Sequence, residues 1–284
     1  MLAFDVVTTV QPMNEVLHNG ITLPEDGWPP RRADDVSQAL LPVPYLATRP
    51  AVVPIDTGRQ LLVDDFLIEM TTLTRRFGKP NVHPLSPVLL PLTDGEMDAG
   101  ECPVAAPFND GVWYDPEDGL FKMWYMPGWF HTTALALSRD GVHWERPDLD
   151  VEPGTNLVWP TRPGFERDGC LVWLDHEADA PGDRFKMFQF YRRPGPAAAE
   201  TVGEGWLHTS PDGIHWSEPV VTTPVGDNSS FFYNPFRRKW CMSIRRGYPD
   251  RVRTFHESDT FLGGAQLNAR TEEVFWQRTD RFDE

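Results

Sequence analysis

Cysteine is scarce in this 284-residue chain: Cys102, Cys170 and Cys241 are widely spaced and odd in number. With no Cys-x-x-Cys pair, zinc-ribbon and thiol-redox chemistry lack a ligand framework, and so small a count favours a reducing compartment. Positive charge is short as well. Lys and Arg total 26 against 42 Asp and Glu, giving a formal net charge of -16 and a sequence pI of about 4.9. A surface that acidic repels phosphate backbones and anionic headgroups, so neither nucleic acid nor a membrane is an expected partner. No run reaches the ~18 apolar residues needed to cross a bilayer. The N-terminus MLAFDVVTTVQPMNEVLHNG lacks the basic and apolar blocks of a signal peptide, so the expectation is a cytoplasmic protein. His-Glu-x-x-His, an EF-hand loop, a Gly-rich phosphate loop and a Gly-x-Ser-x-Gly elbow are all missing. The common metalloprotease, nucleotide-binding and serine-esterase classes go with them, and no metal or cofactor is implied.

What is present is turn-forming and aromatic. With 28 Pro and 22 Gly, long helices have little room, whereas 11 Trp and 17 Phe supply a core. Many short strands joined by turns fit this composition. Residues 1–55, studded with proline, read as an extended N-terminal strap, with one short helix expected around Ala33 to Leu41. In the stretch GRQLLVDDFLIEMTTLTRRFGKP, strands are expected at Gln60–Val63, Phe66–Ile68 and Thr71–Phe77. Asp64-Asp65 between the first two reads as a polar turn or Asx cap, with Asp65 kept as a candidate substrate ligand.

A pattern then recurs three times. Val112-Trp113-Tyr114, Leu171 to Leu174 and Phe231-Phe232-Tyr233 each run into a polar turn beginning at Asp115, Asp175 or Asn234. Each turn leads into a second apolar run, Leu120 to Tyr125, Arg184 to Phe188 or Lys239 to Met242. These are antiparallel hairpins. Two of the units continue into matching turns, Ser138-Arg139-Asp140-Gly141-Val142-His143-Trp144 and Ser210-Pro211-Asp212-Gly213-Ile214-His215-Trp216. In these the Asp accepts backbone N–H groups and Gly supplies a positive φ; because His143 and His215 repeat with the turn, they are read as structural. About four strands per unit, at propeller-blade length, predict an all-β β-propeller. The propeller domain is expected over 56–284, with blades visible at roughly 101–150, 166–220 and 226–280. The chain stops just after a third blade, so a propeller incomplete at its C-terminus is expected.

The Ser-x-Asp-Gly-x-His-Trp turns, the hairpins ending in Phe-Lys-Met and the RQLLVDDFLIE stretch resemble the glycoside hydrolase family 32-like proteins. These belong to the five-bladed β-propeller group that includes family 43, and the resemblance covers about residues 40 to 284. It implies a five-bladed propeller and carbohydrate chemistry. The Trp-Met-Asn-Asp-Pro-Asn-Gly nucleophile motif of invertases is absent. The nearest match to their Arg-Asp-Pro is Arg167-Asp168-Gly169, and their Glu-Cys motif has a literal match at Glu101-Cys102.

Glycoside cleavage ordinarily uses two carboxyl groups, and in a propeller these face the central channel from the innermost strands. One acid precedes each hairpin: Glu101 or Asp110, then Asp168, then Asp227. Asp168 and Asp227 each stand seven residues ahead of the residue that opens the following turn. The catalytic candidates are therefore Asp168 as transition-state stabiliser or base, Asp227 as acid or sugar ligand, and Glu101 as nucleophile or base. Arg167 is expected to pair with Asp168 and keep it ionised. Trp124, Trp129, Phe130 and Trp173 offer rings for a sugar face or for the core, and His131 and His176 lie outside the repeat as further candidates. The leading expectation is a hydrolase acting on a small glycoside or oligosaccharide. A non-catalytic carbohydrate-binding propeller is the alternative. A glycoside phosphorylase ranks third, because the dense basic residues Arg237, Arg238, Arg245 and Arg246 fall partly on a hairpin tip.

Overall fold

The computed structural model describes residues 15–23, 28, 49–195, 201–246, 252–266, 274–279 and 281–282. The expected helix at 33–41 and most of the strap lie outside them. The described chain is all-β, with a single α-helical turn at Asp94–Met97 and short 3-10 turns, and no helix in it is long and apolar enough to cross a membrane.

Three antiparallel sheets follow one another along the chain. Sheet 1 contains β1 (Ala105–Ala106), β2 (Val112–Asp115), β3 (Leu120–Pro127), β4 (Thr133–Ser138), β5 (Trp144–Glu145) and β6 (Leu157–Trp159). Sheet 2 is the meander β7 (Glu166–Leu174), β8 (Phe185–Pro194), β9 (Thr201–Ser210), β10 (Val220–Pro224). Sheet 3 is β11 (Ser230–Asn234), β12 (Lys239–Arg246), β13 (Val252–Ser258), β14 (Val274–Gln277). The three predicted hairpins are β2–β3, β7–β8 and β11–β12, in antiparallel register.

The turns form for one local reason used three times. The side chains of Asp115, Asp175 and Asn234 each accept the backbone N–H two residues on, from Glu117, Glu177 and Phe236. The later turns use a second device. Oγ of Ser138 and Ser210 accepts from Gly141 and Gly213, while Asp140 and Asp212 each take two backbone N–H groups and the ring of His143 or His215. Both histidines are thus turn braces. Gly213 is required twice over: its φ is +79°, and a Cβ there would lie 2.5 Å from Trp124.

Each sheet buries apolar faces against the next, the solution open to strands that are apolar on both sides. Trp124, Leu135 and Val158 of sheet 1 meet Cys170, Val172, Leu174, Phe185 and Met187 of sheet 2. Phe188, Phe190 and Leu207 meet Phe231, Trp240, Met242 and Ile244 of sheet 3. Polar ties cross the first seam: Trp113 Nε1 donates to the Val172 carbonyl at 2.7 Å and Trp124 Nε1 to that of Gly213 at 2.9 Å. Successive meanders stacked in this way are compatible with a propeller-like fold.

Asp115 locks the same seam from a buried position, accepting from Lys122 at 2.7 Å and from Arg184 across the seam at 2.9 Å. Burial alone would push its carboxyl up, but the hydrogen bonds from Arg184 and Lys122 outweigh it and hold the group well below the ordinary carboxylate range. Asp115→Ala leaves Lys122 and Arg184 only their more exposed partners, Asp118 and Glu117, and is expected to cost about 1–3 kcal/mol in urea unfolding. Because the folded value is depressed, this contribution is complete above pH ~4 and fades on further acidification. The wild type therefore loses stability below pH ~4 that the variant no longer has to lose.

The expected strands at Gln60–Val63, Phe66–Ile68 and Thr71–Phe77 do not form; the segment is irregular and joins none of the three sheets. Most of its apolar side chains point outward, Val63 at 77% and Phe77 at 90% exposure, while Phe66, Leu67 and Ile68 are half-buried. Asp64 Oδ1 accepts from Phe66 N at 2.9 Å, so the Asp-Asp pair is the Asx turn that its residue types suggest.

Candidate functional site

The first edge strands of the three sheets all lose regular pairing at their N-terminal end. In sheet 1 the line β1–β2 is interrupted between Ala106 and Val112, although both pieces pair with β3. In sheet 2, Arg167 opposes Tyr191 and Gly169 opposes Phe190, leaving Asp168 as the extra residue of a β-bulge. In sheet 3, Gly226–Ser229 folds into a turn ahead of β11, with Ser229 Oγ donating to the Gly226 carbonyl at 2.8 Å. Bulges and interruptions of this kind re-aim side chains. Left-handed backbone accompanies them: Phe108, Phe130 and Asn228 have φ of 46°, 60° and 53°, a cost that clusters at functional sites. Asn109 Nδ2 donates to Asn228 Oδ1 at 2.8 Å, so the turn ahead of β2 and the turn ahead of β11 meet here.

Asp168 and Asp227 converge on one atom. Nη2 of Arg192, from β8, is hydrogen-bonded to Asp168 Oδ2 and lies 3.6 Å from Asp227 Oδ2. Arg245 Nε, from β12, holds the other oxygen of Asp227 at 3.3 Å. Sharing one nitrogen keeps the two carboxylates inside the roughly 9.5 Å span that glycosidase pairs use. The Asp168 carboxyl is raised above its ordinary value, first by burial and next by the charge of Asp227, with Arg192 and Arg167 opposing.

Arg167 takes a different partner from the expected one. It is wholly buried and hydrogen-bonds Asp110, also wholly buried, from sheet 1. Burial pushes the Asp110 carboxyl up to about 6 against the pull of Arg167. The bulge explains the split: Arg167 faces the core, and the extra residue Asp168 faces the opening. Arg167 therefore packs beneath the site and has no surface to offer a substrate.

The remaining candidates scatter. Glu101 is exposed at the end of the 3-10 turn Asp98–Gly100, outside the ion-pair network of Asp168 and Asp227. Trp124 is fully buried between sheets 1 and 2 and is core. Trp173 is partly buried against the second seam. Asp65 is exposed and paired with Arg75 at 2.5 Å. His176 is exposed in the β7–β8 turn, at the other end of β7 from Asp168. His131 holds Asp98 at 2.6 Å. The rings beside the acids are Phe108, Trp129 and Phe130: Trp129 packs on both of the others, and the Arg192 guanidinium lies 5.2 Å from the Phe130 ring centre. Phe108 and Trp129 are 54% and 38% exposed, enough to meet a ligand. Sequence reasoning missed Phe108 and Arg192, and it named Asp110 only as the alternative to Glu101 ahead of the first hairpin. Counting pairs outward from the β7–β8 turn would have reached Arg192, which opposes Glu166.

No family model matches the chain, and the search of curated proteins returns no match. Among solved structures, one described as "Glycoside hydrolase" is similar at 17% identity and TM-score 0.40, covering 64% of this chain and 59% of its own. A second, a complex of BT0996 and RGII, stands at 18% and 0.39, covering 66% of this chain and 59% of its own. An N-acetylgalactosamine deacetylase from F. plautii, in complex with blood group B trisaccharide, stands at 11% and 0.26, covering 56% and 72%. The protein thus spans about three fifths of the length of the first two. Likeness this distant transfers no residue role and no activity to it.

Proposed function

We propose that residues 56–284 contribute three blades to a β-propeller of the five-bladed type, and that its irregular end cleaves a small glycoside or oligosaccharide by carboxylate chemistry. The observation that carries this reading is the meeting of Asp168 and Asp227, from two sheets, on the single Nη2 atom of Arg192. Two carboxyls in unlike surroundings are what an acid and its ionised partner require. Asp168, half-buried with a raised carboxyl, is the proton donor to the leaving oxygen. Asp227, open on one side and between two guanidinium groups, is the second carboxylate, acting on the sugar or on water. The acid and stabiliser roles thus exchange relative to the sequence expectation, and Asp110 replaces Glu101 as the acid contributed by the first sheet, in a supporting position.

The test is release of reducing sugar from a panel of aryl glycosides and oligosaccharides. Wild type is expected to turn over at least one of them, and Asp227→Asn to lose about 10²–10⁴-fold in kcat. Unchanged turnover in that variant would falsify the two-carboxylate reading; sugar binding without turnover in the wild type would leave a carbohydrate-binding propeller. Trp129→Ala is expected to raise KM roughly tenfold, a loss of ~1.4 kcal/mol, with kcat little changed, as for a ring that binds ground and transition states alike.

One observation favours a second reading. The arginines beside the acids are Arg192 and Arg245 rather than the hairpin-tip pair Arg237 and Arg238, and guanidinium groups so placed suit phosphate. Glycoside phosphorolysis then predicts turnover that rises with inorganic phosphate in the same assay, with sugar phosphate as product.

A further inference from the structure

A cavity of about 540 Å³ lies between sheets 2 and 3 at the end opposite the acids, about 20 Å away along strands such as β7. Its volume falls in the range of small-molecule sites. The wall is aromatic: Trp240 packs against Tyr233 at 5.5 Å and against Phe261 at 5.1 Å, centre to centre. The rim is carboxylate, with Glu177, Asp179 and Asp183 from the β7–β8 connection. Among the described residues these three enter no ion pair through their side chains. The acids at this end that do are Asp175, held by Lys186 at 2.7 Å, and Asp259, held by Lys239. Arg238 is the one lining cation without an ion-pair partner among the described residues.

The protein itself shows what this wall accepts. Lys186, 5% exposed, sets its ammonium 5.3 Å from the Trp240 ring centre and against Asp175, an ammonium held by a ring face and a carboxylate together. Beyond it, the Tyr233 hydroxyl is pushed up by burial and then by the charges of Glu177, Asp175 and Asp179, so the unfilled part of the cavity carries the same pairing of aromatic surface and negative field.

We propose that this cavity is a second ligand site, separate from the carboxylate pair, and that it takes an organic cation with a flat apolar body and an ammonium group. The body lies along Tyr233 and the ammonium sits among Glu177, Asp179 and Asp183. The geometry offers little to a neutral or anionic molecule, because the acids at the rim outnumber the single free guanidinium.

Calorimetric titration of the full chain with tryptamine and with tryptophol, the same indole frame ending in a neutral hydroxyl, separates charge from shape. Tryptamine is expected to bind at least about tenfold more tightly, ~1.4 kcal/mol, and to lose most of that margin at about 0.5 M salt. Glu177→Gln combined with Asp179→Asn, both exposed turn residues, is expected to bring tryptamine down to the affinity of tryptophol. Asp168→Asn leaves both affinities unchanged, so failure of the cleavage reading does not touch this one. Equal affinity of the two probes for wild type, no tryptamine binding at millimolar concentration, or a charge preference that survives the double substitution overturns the proposal.

Discussion

Asp168→Asn is expected to lower turnover about 10²–10⁴-fold and to remove the alkaline limb of the pH–rate profile. The argument is geometric first. Asp168 is the bulged residue of β7, so its side chain leaves the alternation that sends Arg167 into the core, and it meets Arg192 at the opening. An acid that must carry a proton at the start of each cycle loses activity as pH rises through its pKa. Burial and the neighbouring Asp227 raise that pKa, and Arg192 opposes them. Removing the opposing charge must therefore move the alkaline limb upward. Arg192→Met is expected to shift it to higher pH, with folding checked by unfolding midpoint, whereas Asp168→Asn abolishes it. A profile for Arg192→Met that stays in place, or shifts downward, would remove Asp168 from the proton-donor role, because both outcomes contradict the electrostatic ordering of the three groups.

The parts of the fold legible in the sequence were those whose cause is local. Asp115, Asp175 and Asn234 each bond a backbone group two residues away, and Gly141 and Gly213 supply left-handed backbone at a fixed place after Ser138 and Ser210. Such signals survive in a string of letters. What failed was non-local. Thr71 to Phe77 alternates as a strand should, but a strand needs a pairing edge, and none of the three sheets offers this segment one. Trp124 and Trp129 look alike in sequence; the first sits in an eight-residue strand buried on both faces from Lys122 to Pro127, and the second in the loop just beyond it. The direction of Arg167 and Asp168 turned on a one-residue slip opposite Tyr191 and Phe190, which no periodicity of β7 announces. Position ahead of the hairpins is what Asp168 and Asp227 share in the sequence, and the two meet at Arg192. Of the two acids named ahead of the first hairpin, Asp110, directly before β2, is turned inward, while Glu101 stays exposed.

That inward acid gives the largest effect on stability. Asp110→Ala and Arg167→Met, made singly, are each expected to cost about 3–5 kcal/mol, much of the ~5–15 kcal/mol that holds a domain folded. Both side chains are wholly buried across the seam between sheets 1 and 2. Among the described residues, Nε and Nη1 of Arg167 and Oδ1 of Asp110 find no further hydrogen-bond partner. Each group thus relies on the other, and either single substitution leaves an uncompensated charge in an apolar seam. The double variant Asp110→Val with Arg167→Met removes both charges together, and it is expected to recover most of the loss, since apolar replacement of a buried pair is often close to neutral. Acid titration supplies an independent check. The folded value of Asp110 lies at about 6, above the ordinary 3.8, so the folded state binds the proton more tightly than the unfolded one. Its contribution is complete below pH ~4 and is lost as pH rises through ~6. Wild type should therefore lose stability between those values relative to the double variant, which carries no such group. Urea unfolding of the four proteins at pH 4.0, 5.0, 6.0 and 7.0 reads out both results. Additive single losses in the double variant would show that the pair is not the charge lock between the sheets, whereas a wild-type curve parallel to the double variant across that window would show that burial does not outweigh the pull of Arg167 on Asp110.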